Sequence, residues 1–268
     1  MIRLGLLGAK LGHSISPQIH EAVADKLGLE LTYERIEVPA EALPAKVRAL
    51  RQSYRGVNVT IPHKVAVMKE LDWISPEAAA IGAVNTVLFK PDRAEGYNTD
   101  YFGFYRLLEH NGLLPRGKKV CVLGTGGASR AILQCLQDEG AASIHVISRH
   151  PETATDDLRR RFAMADYDQL RQMDGDLLVN CTPVGMFPKV DAAPVDAAVM
   201  DRFGAAVDIV YNPAETQFMK LARSQGKKAV NGLYMLVAQA VKADEIWLGR
   251  TLDAGLIDEV AARVRGLL

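Results

Sequence analysis

Cysteine is scarce in this chain. Only Cys121, Cys135 and Cys181 occur, far apart in apolar surroundings, with no C-x-x-C pair and an odd total. That argues against a disulfide framework or a thiolate metal knuckle and fits a reduced, cytoplasmic protein. An excess of one charge is also lacking, because 32 Lys and Arg balance 32 Asp and Glu. No net field draws the molecule to nucleic acid or to an anionic membrane, so any anionic ligand must be held by local charges and a small molecule is the expected partner. No apolar run approaches the roughly 18 residues of a membrane span, and the opening run is too short for a secretory signal. Secretion and membrane insertion are therefore not expected. None of the six histidines stands at a recognised spacing from a second metal ligand, so no metal is expected, and His13, His20 and His63 read as turn or helix-surface residues. There is no internal repeat and no low-complexity segment.

With 268 residues, 49% of them hydrophobic, the chain can bury one large core or two smaller ones. Short apolar runs alternate with longer amphipathic ones. Strands are expected at Ile2–Leu7, Leu31–Val38, Gly56–Thr60 and Ala83–Lys90, and helices at Ile19–Leu27, Glu41–Arg51 and His63–Leu71. This βαβα rhythm predicts a largely parallel sheet. A helical pattern after Asp100 ends near Asn111, and Gly112 with Pro115–Gly117 breaks the chain. Further strands are expected at Val120–Leu123, Ile144–Ser148, Leu177–Cys181 and Ala206–Val210, and from Tyr234 on the pattern is helical with an interruption at Gly249.

The sharpest local signal is Gly124-Thr125-Gly126-Gly127-Ala128-Ser129-Arg130-Ala131, which follows a strand and opens a helix. Glycines there let the backbone approach a pyrophosphate, whose charge sits on the free N–H groups at the helix start. Ser129 replaces the third glycine of the dinucleotide fingerprint, and a purely structural turn or a methyl-donor loop has a similar pattern. The next strand ends at Ser148-Arg149-His150 with no carboxylate for a ribose hydroxyl. Arg149 is either a partner for a 2′-phosphate, which favours NADP, or a solvated turn residue.

Three polar clusters lie at strand ends, where α/β proteins tend to hold ligands. In His13-Ser14-Ile15-Ser16-Pro17 the two hydroxyls can bind a carboxylate, or Ser16 caps a helix that Pro17 starts. In Asn58-Val59-Thr60-Ile61-Pro62-His63-Lys64, Asn58 and Thr60 share a face; the alternative is a strand end with a surface lysine. Gly82-Ala83-Val84-Asn85-Thr86 and Asn98-Thr99-Asp100 read equally as turn chemistry.

Taken together and in order, these segments resemble the shikimate/quinate dehydrogenase family over essentially the whole chain. The resemblance continues through Asn180-Cys181-Thr182-Pro183-Val184-Gly185-Met186, Asp208-Ile209-Val210-Tyr211-Asn212-Pro213 and the run Asn231 to Ala240. It implies an α/β protein of two domains. Residues 1–103 plus 236–268 would form an α/β substrate domain completed by the C-terminal helices, and 104–235 a Rossmann-type domain for NADP, with NAD possible and substrate in the cleft between. By position, Lys64 and Asp100 would be catalytic. Ser14, Ser16 and Tyr211 would hold the substrate carboxylate, and Thr60, Asn85 and Gln239 would join Lys64 and Asp100 at the ring hydroxyls. Gly124, Gly126, Gly127 and Ala128 would carry the pyrophosphate, Arg149 the adenosine phosphate, and Thr182, Ile209, Gly232 and Met235 the nicotinamide end. The family's cofactor segment has a second Arg three residues after the first, whereas Glu152 stands here. Half of the expected phosphate clamp is missing.

The chemistry this implies is hydride transfer to a ring ketone, in which the oxygen must receive a proton. A lysine, protonated at neutral pH, can donate it, and a neighbouring carboxylate would fix its direction. The expected activity is reversible NADPH-dependent reduction of 3-dehydroshikimate to shikimate, on the route to chorismate and the aromatic amino acids, by a monomer or homodimer. Ser16, rather than threonine, leans towards shikimate over quinate. A quinate/shikimate enzyme with relaxed or NAD cofactor use is the alternative within the class. A non-catalytic nucleotide or ligand sensor is the alternative outside it, and the presence of both Lys64 and Asp100 argues against that.

Overall fold

The computed structural model describes residues 1–12 and 14–267, so His13 and Leu268 lie outside the described residues. The chain divides into two compact units, Met1–Gly103 with Leu236–Leu267, and Phe104–Met235.

The first unit begins with β1 (Ile2–Gly8), α1 (Ser16–Leu27), β2 (Leu31–Glu37), α2 (Leu43–Leu50) and β3 (Gly56–Val59). It continues through β4 (Trp73–Ile74), α3 (Pro76–Ile81), β5 (Thr86–Phe89) and β6 (Ala94–Tyr97) to the start of α4 (Asp100–His110), whose residues from Phe104 on belong to the second unit. The sheet order is β2-β1-β3-β5-β6-β4. Strand side chains alternate between faces, and both faces are covered. Leu7, Val57, Val59, Val87 and Phe89 pack with Leu43 and Val47 of α2, whereas Leu4, Leu6 and Leu88 pack with Tyr33 and Trp247.

The largely parallel sheet expected for this half is not what forms. β1 pairs in parallel with β2 and β3, but β5 runs antiparallel to both β3 and β6. The second of these reversals is a hairpin at 90–93, closed by a bond from Lys90 N–H to the Arg93 carbonyl (2.8 Å). Its second strand, β6, is hidden in the sequence because Glu95 and Gly96 break the apolar run. Glu95 is nonetheless buried, with Lys90 and Arg93 at 2.8 and 2.5 Å and the Tyr97 hydroxyl at 2.7 Å. Two other expectations also change: His63–Leu71 is a turn followed by a 3-10 helix at Ala66–Glu70, and the strand read as Ala83–Lys90 starts only at Thr86.

The second unit carries β7 (Lys119–Leu123), α5 (Gly127–Asp138), β8 (Ser143–Ile147), α6 (Asp156–Arg161), β9 (Ala163–Ala165), α7 (Tyr167–Leu170) and β10 (Gly175–Asn180). Then come α8 (Ala197–Asp201), β11 (Phe203–Asp208), α9 (Gln217–Ser224) and β12 (Lys228–Val230). All its strand pairs are parallel, in the order β12-β11-β10-β7-β8-β9. This is a doubly wound Rossmann-type order, whose direction reverses between β7 and β10. The chain ends with α10 (Leu233–Leu248) and α11 (Gly255–Val264), separated at Gly249. No helix among the described residues is long and apolar enough to cross a membrane.

Trp247 of α10 ties the returning helix to the first sheet. Its indole N–H donates to the Val87 carbonyl at 2.9 Å, and its own carbonyl accepts from Arg55 at 2.8 Å. The indole lies on Gly56, where a Cβ would stand 2.1 Å from Nε1 and 2.4 Å from the Val87 oxygen. Gly56→Ala should therefore destabilise this unit by about 3 kcal/mol, at the upper end of overpacking costs. Both tryptophans, Trp73 and Trp247, are in the first unit, so urea unfolding followed by fluorescence reports on it directly. An unchanged midpoint would show that the indole moves aside without cost.

Candidate active site

In the first unit, topology gathers residues that are distant in the chain. The C-terminal ends of β1 and β3 share one edge of the sheet because these strands are parallel. Antiparallel β5 brings its N-terminal end to that same edge, and β6 brings its C-terminal end back there. Hence Val59 N–H bonds to the Asn85 carbonyl (2.8 Å) and Asn85 N–H to the Tyr97 carbonyl (3.0 Å). The turn after β3 is fastened to the same place, since the Lys64 carbonyl accepts from Val84 N–H at 2.8 Å.

Lys64 Nζ donates to Asp100 Oδ2 at 2.6 Å, and the two side chains are only 13% and 9% exposed. Asp100 opens α4, where the positive end of the helix favours its carboxylate. Asn85 Nδ2 donates to Asp100 Oδ1 at 2.9 Å and lies 3.4 Å from Gln239 Oε1 of α10. Thus Lys64, Asp100, Asn85 and Gln239, read separately from the sequence, form one bonded group. An ammonium has three N–H donors and Asp100 takes one, which leaves Lys64 able to donate to a ligand.

Ser14 and Ser16 are also together, with Ser14 Oγ donating to Ser16 Oγ at 3.1 Å. Ser16 is not the helix cap considered above: Ile15 holds that position, no side chain caps the helix, and Ser14 Oγ accepts the Ser16 N–H at 3.2 Å. Thr60 is half-buried just past β3, with its N–H on the Leu7 carbonyl at 2.9 Å. Tyr211 belongs to the second unit, on the loop after β11, where burial pushes its phenol above the usual range.

In the second unit, the glycine loop follows β7 at the point where the strand order reverses. Gly124 has φ +101°, a left-handed conformation that favours glycine, and a Cβ there would stand 3.0 Å from Thr182 on the loop after β10. Gly126 is the N-cap of α5 and no side chain caps that helix. Gly127 and Ala128 form its first turn. Ser129, standing where the fingerprint has glycine, is fully buried and donates to the Gly126 carbonyl at 2.6 Å, so its small side chain closes the turn from within. These residues fit the pyrophosphate of a dinucleotide: an uncapped helix start at the switch point of a parallel sheet.

Arg149 lies just past β8, exposed and without a carboxylate partner among the described residues. Glu152 is turned to His150, at 3.4 Å. Thr182 bonds through Oγ1 to Asn180 Oδ1 (2.6 Å), Ile209 N–H to the Asn180 carbonyl (3.1 Å), and Gly232 N–H to the Val210 carbonyl (3.1 Å). Met235 is buried in the first turn of α10.

Sequence reasoning assigned no role to several of the residues that hold these groups. Asn180 and Asp208 end β10 and β11 and are fully buried, with Asn180 Nδ2 donating to Asp208 Oδ1 at 3.0 Å. The visible signal was a polar residue closing an otherwise apolar strand. His20 and His63, read as turn or surface residues, are both buried. His63 sits in a turn and bonds the Val38 carbonyl at 2.8 Å, whereas His20 lies on the inner face of α1 against Asp244, 2.9 Å away.

The fold and site define a class: a polar group built on a lysine–carboxylate pair in one α/β unit, and a dinucleotide-type loop in the other. Comparison with known proteins gives the family. Residues 6–87 match the model of the shikimate dehydrogenase substrate binding domain. The shikimate dehydrogenase (NADP(+)) of Clostridium beijerinckii is 42% identical over 250 residues, 93% of each chain. Among solved structures, a chorismate mutase/shikimate 5-dehydrogenase fusion protein from Clostridium acetobutylicum superposes with TM-score 0.96 at 45% identity, covering 100% of this chain and 98% of the other. The shikimate 5-dehydrogenase of Thermus thermophilus in complex with NADP(H) and shikimate gives 0.88 at 39% identity, covering 98% and 99%. The chain belongs to the shikimate dehydrogenase family.

Asp208 gives this site a titratable element. Burial pushes its carboxyl up to about 6 from 3.8, only partly countered by bonds from Thr216 Oγ1 (2.6 Å), Val210 N–H (3.1 Å) and Asn180. With the folded value raised, the folded state holds the proton longer than the unfolded one, so stability is greatest below pH 3.8 as far as this group is concerned and falls as pH rises through about 6. The loss amounts to about 3 kcal/mol at about 1.4 kcal/mol per unit. Asp208→Asn keeps an oxygen for Asn180 and Val210 and offers an N–H to Thr216. In calorimetry from about pH 4 to 7, the variant should gain about 3 kcal/mol on the wild type as pH rises. A difference that stays constant over this range would remove Asp208 as the cause.

Proposed function

We propose that this chain is a shikimate dehydrogenase that reversibly reduces 3-dehydroshikimate to shikimate with NADPH, on the route to chorismate and the aromatic amino acids. The observation that carries the reading is the nearly buried Lys64–Asp100 pair, bonded to Asn85 beside Gln239, in a chain of this family. A bound nicotinamide supplies or accepts the hydride. Lys64 donates the proton that the substrate oxygen needs in the reducing direction and takes it back in the other. Asp100 aims the ammonium and accepts from a ring hydroxyl. Asn85, Gln239 and Thr60 bind the remaining hydroxyls, and Ser14, Ser16 and Tyr211 hold the carboxylate. Residues 1–103 plus 236–268 are the substrate domain in this reading, and 104–235 the NADP domain. In the latter, Gly124, Gly126, Gly127 and Ala128 take the pyrophosphate, and Thr182, Ile209, Gly232 and Met235 surround the nicotinamide. The protein is assigned to the cytoplasm as a monomer or homodimer, consistent with its three unpaired cysteines.

If Lys64 moves the proton, its loss is felt in the transition state rather than in ground-state binding. Lys64→Ala should lower kcat for shikimate oxidation by about 100- to 10,000-fold, with a much smaller rise in KM. Near-normal kcat with raised KM would reduce Lys64 to a binding residue.

Cofactor choice rests on Arg149. With Glu152 where a second arginine would stand, NADP should be preferred over NAD, but through one charge-assisted contact worth about 1.5–3 kcal/mol. Initial rates with shikimate and quinate, each with NADP and NAD, test substrate and cofactor together. Shikimate with NADP should lead, and Arg149→Ala should weaken NADP alone by roughly 10- to 150-fold. An unchanged NADP-to-NAD ratio in the variant would refute the assignment of Arg149.

A further inference from the structure

Behind the Lys64–Asp100 pair, the first unit holds a buried titratable pair that the proposed mechanism does not use. His20 is fully buried, and Asp244 of α10 is 3% exposed in its side chain. His20 Nδ1 is 2.9 and 3.0 Å from the two Asp244 oxygens, and its ring stacks on Tyr33 at 4.2 Å. On its other side, His20 Nε2 lies 3.1 Å from Asn58 Oδ1.

Hydrogen-bond accounting assigns the protons here. The Asn58 amino group faces the Asn85 carbonyl (3.3 Å), which can only accept, and the Thr86 hydroxyl (3.1 Å). Its amide oxygen therefore faces His20 Nε2 and the Tyr33 hydroxyl (2.7 Å). Burial and the Asp244 charge push the Tyr33 phenol well up, so it keeps its hydrogen for Asn58. An amide oxygen cannot donate, so Nε2 carries a hydrogen. A proton must also lie between Nδ1 and Asp244, because two lone pairs facing each other in a buried site would repel. The pair thus holds two hydrogens, one aimed at Asn58 and one shared with Asp244.

From Asn58 a line of directed bonds runs to Asp100. Its amino group donates to Thr86 Oγ1, and Thr86 Oγ1 donates to Asn85 Oδ1 at 3.0 Å. Thr99 N–H donates to the same oxygen at 2.7 Å. Asn85 is then left with its amino group facing Asp100 Oδ1, on the carboxylate that holds Lys64.

We propose that His20 and Asp244 are positioning residues for the Lys64–Asp100 pair: a buried, proton-carrying pair that, with the Asn85 carbonyl, fixes the Asn58 amide and, with Thr99 N–H, the direction in which Asn85 donates to Asp100. This rests on the reading of Lys64 and Asp100 as the reacting pair. Neither His20 nor Asp244 touches substrate in this assignment.

The test uses full-length variants. His20→Phe keeps a ring for Tyr33 to stack on and removes both donors. Asp244→Leu removes the partner of Nδ1, so that nothing on that side holds the His20 ring with its Nε2–H on Asn58. Asp244→Asn can donate an amide N–H to Nδ1, which leaves the hydrogen on Nε2 and keeps the whole directional chain without charge. His20→Phe and Asp244→Leu should each lower kcat about tenfold or more, as for coupled members of one network, while KM for NADP stays within about twofold. Asp244→Asn should stay within about threefold of wild-type kcat. In ¹⁵N-histidine-labelled protein, the Nε2 resonance of His20 should be that of a nitrogen bearing hydrogen in the wild type and in Asp244→Asn.

Wild-type kcat in His20→Phe and Asp244→Leu, with only the melting temperature lowered, would make the pair structural and overturn the proposal. So would an Asp244→Asn kcat as low as that of Asp244→Leu, or a wild-type Nε2 without hydrogen. Should His20→Phe fail to fold, the two Asp244 variants and the nitrogen signal decide. A Lys64→Ala protein with near-normal kcat would instead sink the underlying assignment of Lys64, and the His20 resonances would still report the proton placement by themselves.

Discussion

The hydrogen bonds of one side chain, Asn85, hold the first unit's site together. Its oxygen accepts from Thr99 N–H at 2.7 Å and Thr86 Oγ1 at 3.0 Å, which leaves its amino group for Asp100 at 2.9 Å. Rotating that amide by half a turn would set an oxygen against a carboxylate and an amino group against a backbone N–H. Both contacts are repulsive in a residue only 3% exposed, where no water compensates. The Lys64–Asp100 pair therefore stands on a support with a single low-energy orientation, as the proposed reaction requires of it.

That support exists because β5 runs the opposite way to its neighbour β3. In a uniformly parallel sheet, Asn85, at the start of its strand, would lie at the far end from Thr60 and Lys64. The hairpin at 90–93 then turns β6 back, so that Asp100 returns to the same edge, and it buries Glu95 between Lys90, Arg93 and Tyr97. A carboxylate ringed in this way is tolerated because both its oxygens find donors, Lys90 and Arg93 on Oε1 and Tyr97 on Oε2. The ion cluster thus lies at one end of the hairpin and the Lys64–Asp100 group at the other.

Local signals were legible in the sequence where the chemistry was local. The turn Gly124–Gly127 follows an apolar strand and opens a helix, and both features sit within a dozen residues, so loop and helix could be read with their order. The grouping of Lys64 with Asp100 came from resemblance alone, since the two are 36 residues apart and nothing in their immediate neighbours distinguishes a paired lysine from a solvated one. β6 was illegible because its glutamate is neutralised only once the hairpin exists. His20 was misread for the same reason at longer range: its partner Asp244 is 224 residues away, on a helix that returns to the first unit. A histidine on an amphipathic helix shows its burial only through the groups that satisfy it. Ser129 is the converse case, a departure from the glycine pattern that the structure accounts for by its bond to the Gly126 carbonyl.

The two units manage buried charge in opposite ways, and the difference follows from what each must do. In the first, each buried acid of the polar network has a proton-bearing partner, Lys64 for Asp100 and His20 for Asp244. A neutral pair there would spare desolvation, but it would not offer a protonated amine to a ligand. In the second, Asp208 is held by an amide, a hydroxyl and a backbone N–H, with no cation, and its carboxyl is pushed up accordingly. Those three donors pin the ends of β10 and β11 and the loops that follow them. A lysine in their place would stabilise the carboxylate more, but its flexible stem fixes direction poorly. Asp208 thus accepts a desolvation cost in exchange for geometry, whereas Asp100 faces a lysine, as the proposed proton transfer requires.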